Sequence, residues 1–125
     1  MKYSAWITIA SLLMYIWTFA KAGKARGIYK VSAPYSDGPP EFLVAQRVQA
    51  NTVEQIIIFI PLLWLTCLFM DDRLAALLGA IWVVGRVIYA LGYYKAPEKR
   101  SLGFGISSLA AIGLLITSIV GLIIH

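Results

Sequence analysis

Long runs of apolar residues, separated by short polar stretches, divide the chain into four segments. They run from about Tyr3 to Ala20, Phe42 to Met70, Leu74 to Tyr94 and Leu102 to Ile124. Each is close to or longer than the ~20 residues that a membrane-spanning helix needs. None alternates with a period of two, as the strands of a membrane barrel do. The pattern predicts an all-α membrane protein, a bundle of four transmembrane helices.

Turn and capping residues predict the connections between these helices. The segment 31–40 is rich in Pro, Gly and Ser and predicts the one substantial loop, and its last residue, Pro40, suits the start of the second helix. Asp71 and Asp72 predict a short turn that caps the third helix. Pro61 predicts a kink inside the second helix.

Small residues recur every four positions in the last segment, at Gly113, Thr117 and Gly121. Small side chains at this spacing let two helices approach closely in lipid. We therefore expect this face of the fourth helix to pack tightly against another helix.

Composition and charge support a membrane protein. Hydrophobic residues make up 60% of the 125 residues and charged residues only 14%, which predicts one transmembrane domain over residues 1–125. Basic residues cluster after the first segment and between the third and fourth. The positive-inside rule therefore places these two connections in the cytosol and both termini on the opposite side. Short loops and the absence of retention signals favour a bacterial inner membrane, and no basic patch with interleaved aromatics suits nucleic acid.

Polar residues within the second segment are candidates for a binding or catalytic site. Arg47, Asn51 and Glu54 fall at positions i, i+4 and i+7, which places them on one face of a helix. An ionised side chain at bilayer depth costs roughly 2.5–3.5 kcal/mol, so such groups need partners. The face spans roughly 10 Å, about the length of an extended tripeptide, and would suit a small zwitterionic ligand. The alternative is an internal Arg–Glu pair between helices with the Asn bridging them.

The third segment carries a matching face, formed by Arg86, Tyr89 and Tyr93. The alternative here is a tyrosine belt at the membrane interface, with Arg86 paired to Glu54. Cys67 is the only cysteine and is expected to be a packing residue. No His, Cys or carboxylate residues have metal-ligand spacing, so no metal is expected.

Arg100 is predicted in the first turn of the fourth helix, where the helix dipole is already positive. A cation there is placed unfavourably unless an anion joins it. A thiolate would fit, since helix N-termini and neighbouring arginines both lower the pKa of a thiol. The alternative is a residue that only sets membrane topology.

These motifs together resemble a known family. The octapeptide from Arg47 to Glu54 matches R-x-Q-x-N-x-x-E, the signature of the membrane-associated proteins in eicosanoid and glutathione metabolism (MAPEG). Further agreement comes from Ala25-Arg26, Val31-Ser32-Ala33-Pro34, Gly38-Pro39-Pro40-Glu41-Phe42, Arg86-Val87-Ile88-Tyr89, Gly92-Tyr93 and Arg100. The resemblance covers roughly residues 24 to 100.

The resemblance implies a microsomal-type glutathione transferase, a homotrimer that binds glutathione, its co-substrate, between subunits. It implies that thiolate adds to a lipophilic electrophile from the bilayer, with peroxidase activity as a further expectation. Arg100 would be the catalytic residue and would polarise the thiol. The glutathione-binding residues would be Arg26, Arg47, Gln49, Asn51, Glu54, Arg86, Tyr89 and Tyr93, with Arg26 and Gln49 on the glycine carboxylate.

Two departures bear on the branch of the family. Gln55 and Gly27 stand where the leukotriene synthases carry Tyr and a second Arg. They favour a general detoxifying transferase over the eicosanoid branch. Two alternatives remain: a non-catalytic lipid-binding member of the family, and a small four-helix exporter.

Overall fold

A computed structural model describes all residues from Met1 to His125. Four helices follow one another: α1 (Lys2–Tyr29), α2 (Pro40–Phe69), α3 (Asp72–Lys95) and α4 (Ser101–Ile124). A 3₁₀ turn, Pro97–Arg100, leads directly into α4. All four helices are long and apolar enough to cross a membrane. The predicted all-α, four-helix plan is confirmed, and the chain is an integral, multi-pass membrane protein.

The helix ends follow the local sequence. Pro39 precedes α2 and Pro40 begins it, as predicted. The Asp71 carboxylate accepts a hydrogen bond of 2.9 Å from the Leu74 amide and so caps α3. Lys30 ends α1 in the left-handed region, at φ 55°. The helical segment α2 continues through Pro61 to its end at Phe69.

Asp72 contacts a different helix from the one it was predicted to cap. Its carboxylate accepts hydrogen bonds from the amides of Tyr3 (3.1 Å) and Ser4 (2.9 Å), at the start of α1. The Met1 amino group lies 2.9 Å from the same carboxylate. A carboxylate at a helix N-terminus satisfies free amides and complements the positive end of the dipole. Asp72 therefore joins the beginnings of α1 and α3.

The apolar core lies in the middle of the bundle. The rings of Phe59 and Trp82 stack with centroids 3.9 Å apart, and Leu63 and Leu114 are fully buried beside them. Cys67 belongs to the same core, where it is 8% exposed. Large apolar side chains also cover the outside of the helices, which suits contact with lipid chains.

The closest helix approach joins α3 to α4, and glycine makes it possible. A Cβ atom on Gly103 would collide with the backbone nitrogen of Tyr89. A Cβ atom on Gly85 would lie 2.7 Å from the backbone nitrogen of Ser107. The two backbones therefore touch near the start of α4, where the chain emerges from the 3₁₀ turn.

The predicted stripe of small residues is only partly a close contact. At Gly121 an added Cβ would lie 2.7 Å from the Phe69 carbonyl oxygen, so this end of α4 does approach α2 closely. At Gly113 the nearest atom, from Leu78, is 3.6 Å away, an ordinary contact. The expectation is therefore wrong at Gly113, because the neighbouring residue on α3 is a large leucine that fills the space.

We expect Gly103→Ala to lower the free energy of unfolding by about 1–3 kcal/mol, as overpacking does. The added methyl group meets α3 backbone, which cannot move as a flexible side chain can. Gly113→Ala is the matched control on the same helix, and there ordinary space and better helix propensity predict no loss. Thermal unfolding in detergent measures both, and an unchanged midpoint for Gly103→Ala would contradict the close approach.

Candidate functional site

A cavity of about 520 Å³ opens at the end of the bundle where α4 begins. It lies between α2, α3 and α4, and its lining residues are Arg47, Asn51, Tyr89, Tyr93, Arg100, Ser101, Phe104 and Gly105. Five of these were singled out from the sequence as candidate site residues. Two arginines and no carboxylate line the cavity, so its charge favours an anionic ligand.

Arg86 lies beneath this cavity and is only 1% exposed. Its Nη2 donates hydrogen bonds to Asn51 Oδ1 (2.8 Å) and Thr52 Oγ1 (3.0 Å). Its guanidinium carbon lies 4.1 Å from the centroid of the Tyr89 ring, in cation–π range. The alternative Arg86–Glu54 pair does not form, and Arg86 itself does not line the cavity.

The Arg86 contact fixes the orientation of Asn51. A guanidinium offers only donors, so the amide oxygen must face it. The Asn51 NH₂ group is then left as a donor. Thr52 is held as well, because its hydroxyl donates to the Val48 carbonyl at 2.7 Å.

Aromatic rings form one wall of the cavity. Tyr89 and Tyr93 meet edge to face with centroids 5.6 Å apart, and Phe104 lies 6.1 Å from Tyr89. The Arg100 guanidinium carbon lies 5.3 Å from the centroid of Tyr93. Arg100 Nη1 donates to the Pro97 carbonyl at 2.7 Å, across the 3₁₀ turn. This hydrogen bond therefore holds the Arg100 guanidinium near Tyr93, in the aromatic wall of the cavity.

Arg47 and Glu54 form an ion pair of 3.4 Å along α2, with side chains 51% and 56% exposed. The pair expected as the structural alternative thus exists, but within one helix instead of between two. Exposed pairs contribute about 0–1 kcal/mol, so a ligand could separate it at little cost. Glu54 lies outside the lining of the cavity.

Gln49 and Arg26 bond to groups outside this cavity. Gln49 Nε2 donates to the Tyr15 hydroxyl of α1 at 3.2 Å. Arg26 Nη1 donates to the Tyr35 carbonyl at 2.7 Å, and its guanidinium carbon lies 5.3 Å from the Phe42 ring centroid. Neither residue lines the cavity.

Sequence reasoning missed Ser101, Phe104 and Gly105 in the cavity wall and Thr52 beneath it. Helical spacing could have found Phe104, because it follows Arg100 by four residues and shares its face. Thr52 carried no such signal, since it faces Arg86 of another helix.

The fold and the cavity define a class: a four-helix integral membrane protein with a cationic, aromatic-walled cavity at one end of its helices. The model of the MAPEG family matches residues 4–120. The chain is 38% identical to human microsomal glutathione S-transferase 2, over 87% of this chain and 74% of that protein. It is 30% identical to bovine leukotriene C4 synthase, over 95% of this chain and 79% of that protein.

A protein of Synechocystis sp. is also similar, 39% identical over 97% of this chain and 88% of its own length. The family match covers nearly the whole chain. The chain therefore belongs to the MAPEG family, as the sequence motifs indicated.

Replacing the buried guanidinium should uncouple Asn51 from α3. We expect Arg86→Met to lower the free energy of unfolding by about 1–3 kcal/mol, because the Asn51 oxygen is left buried without a donor. Arg73→Met, at an exposed arginine near the other end of α3, should change it by less than about 0.5 kcal/mol.

A double-mutant cycle with Asn51→Ala tests the same contact. The coupling between Arg86 and Asn51 should be about 0.5–3 kcal/mol by thermal unfolding in detergent. Additive effects of the two substitutions would show that the hydrogen bond does not stabilise the protein.

Proposed function

We propose that this protein is a membrane-bound glutathione transferase that adds the glutathione thiolate to lipophilic electrophiles. The observation that carries the proposal is the cavity that joins Arg47, Asn51, Tyr89, Tyr93 and Arg100. Family membership and the name of microsomal glutathione S-transferase 2 support the same ligand. Detoxification is the proposed role, and reduction of lipid hydroperoxides by glutathione is a second proposed activity.

Glutathione offers two carboxylates, one ammonium group and two peptide links. Arg47 can bind a carboxylate with two parallel hydrogen bonds. The Asn51 NH₂ group, left free by Arg86, can donate to a peptide carbonyl. Glu54 can accept from the ammonium group once its weak pair with Arg47 opens. The hydroxyls of Tyr89 and Tyr93 add donors along the wall.

Arg100 is the proposed catalytic residue. A thiol with a pKa near 8.5 is only a few per cent ionised at neutral pH, and lowering that pKa by about 2 units takes about 2.7 kcal/mol. The Arg100 cation, at the junction of the 3₁₀ turn and α4, can stabilise the thiolate by its positive charge. The thiolate then forms a carbon–sulfur bond to the electrophile, and the carbon's leaving group departs with the displaced electron pair.

The electrophile is proposed to arrive from the bilayer along α4. Phe104 lines the cavity, and the outward face of the same helix is apolar, with Leu109 71% exposed. A lipophilic molecule partitioned into the membrane would therefore reach the thiolate without crossing water.

The complete site is proposed to form in a homotrimer. Arg26 and Gln49 lie outside the cavity of their own chain, so a neighbouring copy would have to supply them for the glycine carboxylate. The cavity end, with its many basic residues, is proposed to face the cytosol and the termini the opposite side, in a bacterial inner membrane.

Glutathione mixed with the purified protein should give an ultraviolet thiolate difference absorbance at neutral pH. Arg100→Ala should abolish this signal and cut turnover at least tenfold, while glutathione affinity stays within a few-fold, because other residues hold the ligand. Arg73→Ala is the control, because it removes a cation near the start of α3 that does not line the cavity.

Unchanged turnover in Arg100→Ala would refute its catalytic role. Binding without any thiolate signal in the unaltered protein would favour a non-catalytic, lipid-binding member of the family instead.

Co-expression tests the shared site. Arg26→Ala and Arg100→Ala copies should each be impaired alone, yet mixed trimers should regain activity. With random mixing, about a quarter of the interfaces combine an intact Arg26 with an intact Arg100 from the other copy. The control is the same mixture made from separately assembled trimers, which should show no gain. A fully active monomer, or no gain on co-expression, would contradict the shared site.

A further inference from the structure

A second cavity, of about 590 Å³, lies between the end of α1, the last turns of α3 and the start of α4. Its lining residues are Lys21, Ile88, Leu91, Gly92, Tyr94, Lys95, Lys99 and Leu102. It shares no lining residue with the cavity around Arg100. Nothing in the proposed glutathione chemistry uses it.

The charge of this second cavity is entirely positive. Lys21, Lys95 and Lys99 reach it from two helices and the 3₁₀ turn, and no carboxylate lines it. None of the three forms an ion pair within the chain. Three uncompensated ammonium groups around one cavity raise the local positive potential and favour an anion.

Tyr94 also lines this cavity. Its hydroxyl is buried and has no hydrogen-bond partner in the chain. Lys21 Nζ lies 5.1 Å from the centroid of its ring, so the ring orients one of the ammonium groups. A ligand with several acceptor oxygens could therefore bind the three lysines together.

The remaining walls are apolar and face outward. Ile88, Leu91 and Leu102 line the cavity, with Leu91 53% and Leu102 68% exposed on membrane-spanning helices. A small soluble anion would leave this surface uncovered, whereas a hydrocarbon chain would cover it.

We propose that the second cavity binds an anionic phospholipid, its phosphate held by Lys21, Lys95 and Lys99 and an acyl chain lying along Leu91 and Leu102. Basic pockets between transmembrane helices, near the membrane surface, bind lipid headgroups in this way. The lipid would also steady the 3₁₀ turn, because the turn presents Lys99 to this cavity and Arg100 to the other. The turn already packs on α3, since a Cβ atom on Gly92 would collide with the Lys99 carbonyl oxygen.

Native mass spectrometry of the detergent-purified protein tests the proposal, with phosphatidylglycerol and phosphatidylcholine of identical chains as probes. The unaltered protein should retain phosphatidylglycerol at least tenfold better. Each nearby lysine contributes about fivefold to affinity for an anionic lipid, so Lys95→Gln/Lys99→Gln should weaken it about 30-fold. Both lysines are exposed, and an unchanged midpoint of thermal unfolding without lipid will verify that the variant is folded.

The matched control is Lys24→Gln/Lys30→Gln, which removes two exposed charges from the same end of the bundle outside the cavity. It should change phosphatidylglycerol retention by less than twofold. Equal weakening by both variants would mean diffuse surface attraction, and equal retention of the two lipids would mean no headgroup recognition. Displacement of phosphatidylglycerol by millimolar inorganic phosphate would identify a soluble-anion site. Each of these three results would overturn the proposal.

Discussion

The backbone contact between α3 and α4 is the constraint on which the candidate site depends. Gly103 brings α4 against the backbone of Tyr89, and this contact sets how the beginning of α4 faces the tyrosine wall. Arg100 lies three residues before Gly103, and Phe104 directly follows it. Any side chain at position 103 would move both residues away from Tyr89 and Tyr93, so one missing Cβ atom determines the shape of the cavity.

The second constraint is the buried guanidinium of Arg86. A cation among membrane-spanning helices needs partners that remain in place, and Asn51, Thr52 and the Tyr89 ring provide them. The same contacts join α2 to α3 and orient the Asn51 amide at the cavity. Stability and ligand geometry therefore depend on one residue that does not line the cavity.

The periodicity of the sequence predicted the features that lie within a single helix. The four segments, the Pro40 start of α2 and the Asp71 cap follow from local chemistry, and the polar face of α2 follows from helical spacing. Contacts between helices were harder to predict. Arg86 bonds Asn51 and Thr52 instead of Glu54, and Asp72 caps α1 instead of α3. Each depends on which neighbour lies opposite, and one chain's spacing carries no information about this. The tightest α3–α4 contact, at Gly103, was missed for the same reason.

The polar groups of α2 point in two directions, and this bears on assembly. Asn51 turns towards α3 and the cavity, whereas Gln49 bonds Tyr15 on α1. Arg47 and Glu54 remain half exposed on a helix that crosses a membrane, and their contact of 3.4 Å leaves further donors of the guanidinium unpaired. Within a monomer in lipid these charges would be costly, since the bilayer offers them few partners. The proposed trimer removes that cost by enclosing them between subunits, where the carboxylates and ammonium group of a bound tripeptide would complete their pairing. Oligomer and ligand would then stabilise the same charged face of α2.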